Sequence, residues 1–393
     1  MINRIFLIVC VALVSFTGCG SDDTSDNEND MVIPVIPSNS DVRIQLSSGS
    51  GGTRAALDSD DGTNTFEAND LGIFCLANGF VENTKFDKTI TWDPLHQHAK
   101  YYRLLDNVKA DAVKKTKTED GTAYTDIEFY ADNGTEKEIK YYPLSNWLTY
   151  QFYGYYPRTT EITGDANNVY ADIPITGKED VIHGYTDNTA PNAYSAKYFR
   201  ETANINTSAK MAFEHKLIQV QFHCIAGMKG GVVDEKAKDL IIKKVEVCDV
   251  PEKVRLVVAS TDKEANGTLS ITEATDTKYT VRGDNDGEFV PVRVSETKQE
   301  LGQGIMLPPL NTDGANGLKQ QYRVRITLAQ ATGGEEKMLD VFPDAVLTSE
   351  EGKFTKAGTL YNVVLTIYSP EDIRLNATLA PWITDDKEYD VQY

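Results

Sequence analysis

A two-residue rhythm of apolar and polar side chains constrains this chain more than any other feature. In 41–47, Val42, Ile44 and Leu46 alternate with Arg43 and Gln45. In 148–153, Leu148, Tyr150 and Phe152 alternate with Thr149, Gln151 and Tyr153, and in 218–224 Ile218, Val220, Phe222 and Cys224 stand opposite Gln219, Gln221 and His223. Three runs toward the C-terminus, 321–328, 361–368 and 373–381, repeat the pattern. Successive side chains of a strand point to opposite faces, so this period builds one wet and one dry face, which a helix of period 3.6 would not. Turn-forming clusters at 132–134, 283–287 and 332–334 separate the runs. The best helical candidate is short, 108–117. Many short strands between turns predict an all-β fold of antiparallel β-sandwiches.

Length and charge narrow the function classes. A chain of 393 residues with a 40% apolar share predicts two or three domains. Polar residues and a proline interrupt the strands over 186–210, so a boundary near 200 is expected, between domains 41–200 and 201–393. The net charge is −20, which argues against nucleic acid as a partner, since binding it needs a basic patch. Of five cysteines, Cys10 and Cys19 lie near the N-terminus, and Cys75, Cys224 and Cys248 sit in strand contexts. An odd number without regular spacing is no disulfide framework. Buried thiols are the default there, with a Cys224–Cys248 bridge as the alternative.

The N-terminus reads as an export signal. Arg4 precedes an apolar run from Ile5 to Val14, then come Thr17, Gly18 and Cys19. Such a run is too short for a spanning helix of about 20 residues and suits a signal core of roughly 7–15. The arrangement resembles the bacterial lipoprotein signal, in which the cysteine is lipidated and becomes the mature N-terminus; Phe16 departs from the usual leucine. The expected parts are a signal peptide over 1–18, a lipid on Cys19 and a solvated tether over 19–40, where Ser21 to Asp30 carries neither apolar nor aromatic residues. A serine-and-acid cluster after the lipidated cysteine also resembles the Bacteroidetes signal for the outer face of the outer membrane.

Motifs for catalysis are missing. The sequence holds no HExxH, Walker A, GxSxG or paired CxxC pattern, so no catalytic residue, metal or cofactor is expected. His96 and His98 suit a loop better than a metal pair. Asp284 to Glu288 starts like a calcium loop but reaches Ser295 at the twelfth position, where such a loop needs Glu, so it reads as a turn. Arg282 to Asp284 spells RGD in a polar loop, too short a match to carry binding. Tyr141, Tyr142, Tyr150, Tyr153, Tyr155 and Tyr156 form a dense aromatic stretch. Alternation assigns at least half of them to the core, and the other reading is a platform for sugars.

Taken together, several stretches resemble the fimbrillin family, the pilus subunits of Bacteroidetes. They are TRAAL at 53–57, FEANDLGIF at 66–74, YQFYGYYP at 150–157, IPITGKEDVIHG at 173–184, MAFEHKLIQVQF at 211–222, GIMLPPL at 304–310, FTKAGTLYNVVLTI at 354–367 and LAPW at 379–382. Phe354 stands where the family often has tryptophan. The resemblance implies two transthyretin-like β-sandwich domains in tandem, export as a surface lipoprotein of the outer membrane, and assembly by donor-strand exchange. It also implies cleavage between Arg54 and Ala55 by an arginine-specific surface protease, within the Gly/Ser-rich loop 47–62. Flexible loops of this kind are preferred sites of nicking. Cleavage would remove the first strand, 41–47, with Val42, Ile44 and Leu46. The C-terminal segment 373–393, with Ile373, Leu375, Ala377 and Leu379 on one face, is the candidate donor; it reads equally as a finished edge strand. Expected partners are other pilin subunits and a host or bacterial surface ligand. A different class remains open: a surface-attached glycan-binding lipoprotein whose sandwiches are complete.

Overall fold

The computed structural model describes residues 41–48, 65–80, 90–118, 121–143, 148–186, 194–201, 207–272, 276–311, 314–343, 355–369 and 372–381. All of these fall within one compact unit. The expected all-β class is what the chain adopts. Its first ten strands are β1 (Leu46–Ser48), β2 (Ala68–Phe80), β3 (Arg103–Thr116), β4 (Ala123–Phe129), β5 (Leu148–Tyr156), β6 (Ile162–Gly164), β7 (Asn168–Pro174), β8 (Ile182–Thr186), β9 (Ala209–His215) and β10 (Ile218–Ala226). Seven of them close into a barrel in the order β1, β4, β3, β2, β5, β8, β9.

Three further sheets make up most of the rest. One runs from 299–300 through β10 and Thr359–Ser369 to Asp372–Pro381, with Ile305–Leu307 also on β10. A second orders Asp276–Thr280, Leu240–Pro251, Arg323–Gln330 and Lys337–Val341, and the third orders 269–270, Lys253–Ser260, β7 and β6. One of these sheets is built from strands on both sides of residue 200. β7 pairs antiparallel with Lys253–Ser260, from Lys253 opposite Pro174 to Ser260 opposite Asn168, so one sheet takes strands from both sides of residue 200. β9, beyond that point, belongs to the barrel. Within 186–210 the short helix Ala196–Arg200 starts on Ser195, whose Oγ accepts from the Tyr198 amide.

Two sequence readings change for packing reasons. The helical candidate 108–117 is the end of β3, bonded to β2 on one side and β4 on the other. Its Ala110 and Ala112 are buried, and pairing on both edges overrides the local helical preference of Ala and Lys. β5 was expected to have a wet face, yet Thr149, Gln151 and Tyr153 are buried as well as Tyr150 and Phe152. Tyr150 and Phe152 pack with Tyr142. On the opposite face Tyr153 and Tyr155 join a core that extends through Val169 and Val220 to Val363. Gly154 lies close to β9, since a Cβ there would lie 2.9 Å from Met211 Cε and 3.0 Å from Phe213 Cζ.

Candidate functional site

The seam that closes the barrel is β1. It lies between two strands far away in sequence, antiparallel to β4 with Leu46 opposite Ile127 and Ser48 opposite Thr125, and parallel to β9 with Leu46 opposite Ala209. Parallel neighbours cannot be joined by a hairpin, so this pairing needed the chain to return after more than 150 residues. Upstream of β1 the backbone continues the seam. The Ile44 amide donates to the Lys140 carbonyl at 2.8 Å, the Tyr142 amide to the Val42 carbonyl at 3.0 Å, and the Ala209 amide to the Gln45 carbonyl at 2.9 Å.

The side chains follow the predicted alternation. Leu46 is 0% and Ile44 4% exposed, while Val42 is half-buried. Ser47 and Ser48 are buried too. Ser47 Oγ lies 2.6 Å from Ser208 Oγ on the approach to β9. At the outer end Arg200 donates to the Asp41 carboxylate at 2.9 Å and holds its pKa below the usual carboxylate value. Thr125 clamps the chain where it resumes after the loop: its Oγ1 accepts from the Phe66 amide at 2.9 Å and donates to the Phe66 carbonyl at 3.0 Å. The Phe66 ring then stacks edge-on against Phe213 of β9, centroids 4.9 Å apart.

Without residues 41–48, β4 and β9 each lose a paired edge and the pockets of Ile44 and Leu46 open. The arrangement is thus a groove occupied by a strand from its own chain. Ser47, Ser48, Ser208 and Phe66 are parts of it that sequence reasoning missed. The Ser-Ser pair after Leu46 was the available signal, since two small residues suit a narrow end of a groove, but the parallel partner β9 left no local trace.

The other predicted residues fall as follows. Cys19, Arg54 and Ala55 lie outside the described residues. Of the candidate donor 373–393, residues 382–393 lie outside the described residues; the rest falls in the strand Asp372–Pro381, which pairs antiparallel with Thr359–Ser369, with Ile373 opposite Ile367, Leu375 opposite Leu365, Ala377 opposite Val363 and Leu379 opposite Tyr361. It is the outermost strand of that sheet among the described residues. Tyr142, Tyr150, Tyr153 and Tyr155 are buried, and burial pushes the phenols of Tyr142 and Tyr150 well up and that of Tyr155 to about 12. They do not present a sugar platform. Cys75, Cys224 and Cys248 are buried and free. His96 and His98 sit in a turn before Ala99–Tyr102, their rings 5.4 Å apart, and no group of three metal-ligating side chains occurs among the described residues. Asp284–Asp286 form a tight turn with Asn285 in the left-handed region, and Arg282 of the RGD sequence pairs with Asp286. No helix among the described residues is long and apolar enough to cross a membrane.

No protein-family profile matches the sequence, and no curated protein matches it. Among solved structures, the chain is similar to a candidate cell adhesion protein from Bacteroides uniformis, at 15% identity and TM-score 0.44 over 86% of this chain and 98% of that one. It is also similar to one from Bacteroides ovatus, at 12% identity and TM-score 0.43 over 88% and 99%. A third likeness is to the fimbrial anchor protein Mfa2 from Porphyromonas gingivalis, at 7% identity and TM-score 0.35 over 86% and 98%.

Proposed function

We propose that this chain is a structural subunit of a cell-surface fibre, a pilus component that mediates adhesion. In this reading it is exported as a lipoprotein through Cys19 and held at the outer membrane until an arginine-specific protease cuts after Arg54. The cut releases the anchor together with residues 41–48, and a neighbouring subunit fills the groove with its own C-terminal segment, Ile373 onward.

The observation that carries the reading is the place of β1: the strand that closes the barrel is also the one that the expected cut would detach. Ile44 and Leu46 are fully enclosed, at about 1.5–3 kcal/mol for each buried aliphatic side chain. Their loss, about 3–6 kcal/mol, is a large part of the roughly 5–15 kcal/mol by which a domain is stable. An emptied groove of that depth demands a replacement strand, and unpaired edges at β4 and β9 supply the backbone bonds to hold it. Repeated head to tail, such a contact does not close and gives a filament. The donor must first leave its ladder on Thr359–Ser369, which makes assembly an exchange of one strand partner for another.

N-terminal sequencing of surface filaments tests this directly. A start at Ala55, and a lipid-anchored monomer in the Arg54→Ala variant, support the reading. Filaments that retain Cys19, or no SDS-resistant ladder in outer-membrane fractions of the unaltered strain, overturn it.

A further inference from the structure

A second site, away from the groove, lies at one end of the sheet built on Leu240–Pro251. An open surface depression of about 510 Å³ lies there between that strand and the segment 314–323. Phe342 is among its lining residues and is 46% exposed, which leaves its ring open to a ligand.

The opposite wall is shaped by the backbone. The ladder between Leu240–Pro251 and Asp276–Thr280 slips between Val247 and Val250, and within that slip Asp249 takes a left-handed φ of 61°. Bulges of this kind re-aim a side chain, and here the Asp249 carboxylate lines the depression. Arg323 grips it with two bonds, Nε to Oδ2 at 3.0 Å and Nη2 to Oδ1 at 2.9 Å. Those bonds hold the Asp249 pKa below the usual carboxylate value. A second carboxylate, Asp276, is fixed in the same way by Lys319 at 2.6 Å. Gln321, exposed at the mouth, adds an amide that both donates and accepts.

We propose that this depression binds a neutral saccharide. Each carboxylate is already matched by a cation, so neither an anionic nor a cationic ligand gains much charge complementarity. Fixed carboxylates with open lone pairs, beside guanidinium and ammonium donors, suit adjacent hydroxyl groups that offer both a donor and an acceptor. The exposed Phe342 ring suits the apolar face of a pyranose. The site belongs to one subunit and needs no polymer, so it stands or falls independently of the fibre reading.

The test uses the soluble full chain from Ser21 onward and saturation-transfer NMR with mannohexaose, maltohexaose and xylohexaose, and with hexagalacturonate as the acidic counterpart. Transfer to at least one neutral oligomer is expected, with affinity reduced about fivefold in Phe342→Ala, since an aromatic face contributes on the order of 1 kcal/mol. Asp249→Asn, which keeps a residue tolerant of the left-handed backbone, should weaken binding to a similar degree while the far-ultraviolet dichroism of both variants stays unchanged. No transfer to any neutral oligomer, binding of hexagalacturonate alone, or unaltered binding by both variants would overturn the assignment.

Discussion

Removing the first strand should leave a barrel that is folded but measurably open. The perturbation is a chain that starts at Ala55 and so lacks Ile44 and Leu46, two enclosed aliphatic side chains, and three backbone bonds to Lys140, Tyr142 and Ala209. The side chains account for about 3–6 kcal/mol, and each backbone bond for about 1 kcal/mol net. With a urea dependence of about 1–3 kcal/mol per molar, the unfolding midpoint should fall by more than about 1 M. Hydrogen exchange locates the effect: amides of β4 and β9 that face the seam lose protection, while those facing β3 and β8 keep it. A peptide of residues 41–48 should restore the midpoint in proportion to the logarithm of its concentration, and the same peptide with Leu46→Asp should not. An unshifted midpoint in the shortened chain, or equal rescue by the Asp peptide, would refute the reasoning.

Other outcomes are expected on the same grounds. Cys19→Ala should abolish incorporation of radiolabelled palmitate and leave no surface filament; persistent labelling would exclude this cysteine as the lipid site. Deleting Ile373 onward should yield subunits that no longer polymerise, and since their sheet keeps β10 against Thr359–Ser369 over eight register pairs, dichroism should still report a β fold. Global unfolding would instead make this strand part of the finished domain. The buried tyrosines predict an alkaline limit. Burial raises the folded-state pKa of Tyr142, Tyr150 and Tyr155 above the unfolded value of about 10. Their contribution is thus complete below about pH 10 and is lost as pH rises toward the folded values. The 295 nm difference between the unaltered chain and one with Tyr142, Tyr150 and Tyr155 changed to Phe isolates these three among the 20 tyrosines; it should appear only together with loss of near-ultraviolet dichroism, and a difference that titrates near pH 10 with dichroism retained would contradict the burial.

What the sequence disclosed, and what it did not, follows the range of the interactions. The alternation around Ile44 and Leu46 told the strand and its buried face, because both are properties of neighbouring residues. It did not tell that Ser47 and Ser48 are also enclosed, since that depends on β9, joined to β1 only through the whole barrel. The same limit hid the burial of Thr149 and Gln151 on β5, and made 108–117 read as a helix although two neighbours fix it as a strand. The boundary expected near 200 rests on a cue of the same local kind. A polar, proline-containing stretch marks a loop, but whether that loop separates domains depends on β7 reaching Lys253–Ser260 across it. Asp249 was the least legible of all. Nothing local announces that a bulge turns its carboxylate into a depression with Phe342 93 residues away.

The loop that follows β1 leaves and returns at one point. Ser48 is opposite Thr125, and Phe66 is bonded to the side chain of the same Thr125, so residues 49–64 join two places that are already close. The Gly/Ser-rich sequence of that stretch predicts a flexible chain, whose root-mean-square reach would be roughly 20 Å and would hold the strand at an effective concentration on the order of millimolar beside its own groove. Cutting one peptide bond in that loop changes no contact in the barrel. It changes the arithmetic of return: a strand that had been present at millimolar becomes one solute among others, and any rival segment that is held nearby by a tether of its own gains a thousandfold advantage over a micromolar competitor. The protease site would then act as a timer for that competition, set by where the bond lies and not by how tightly β1 is gripped.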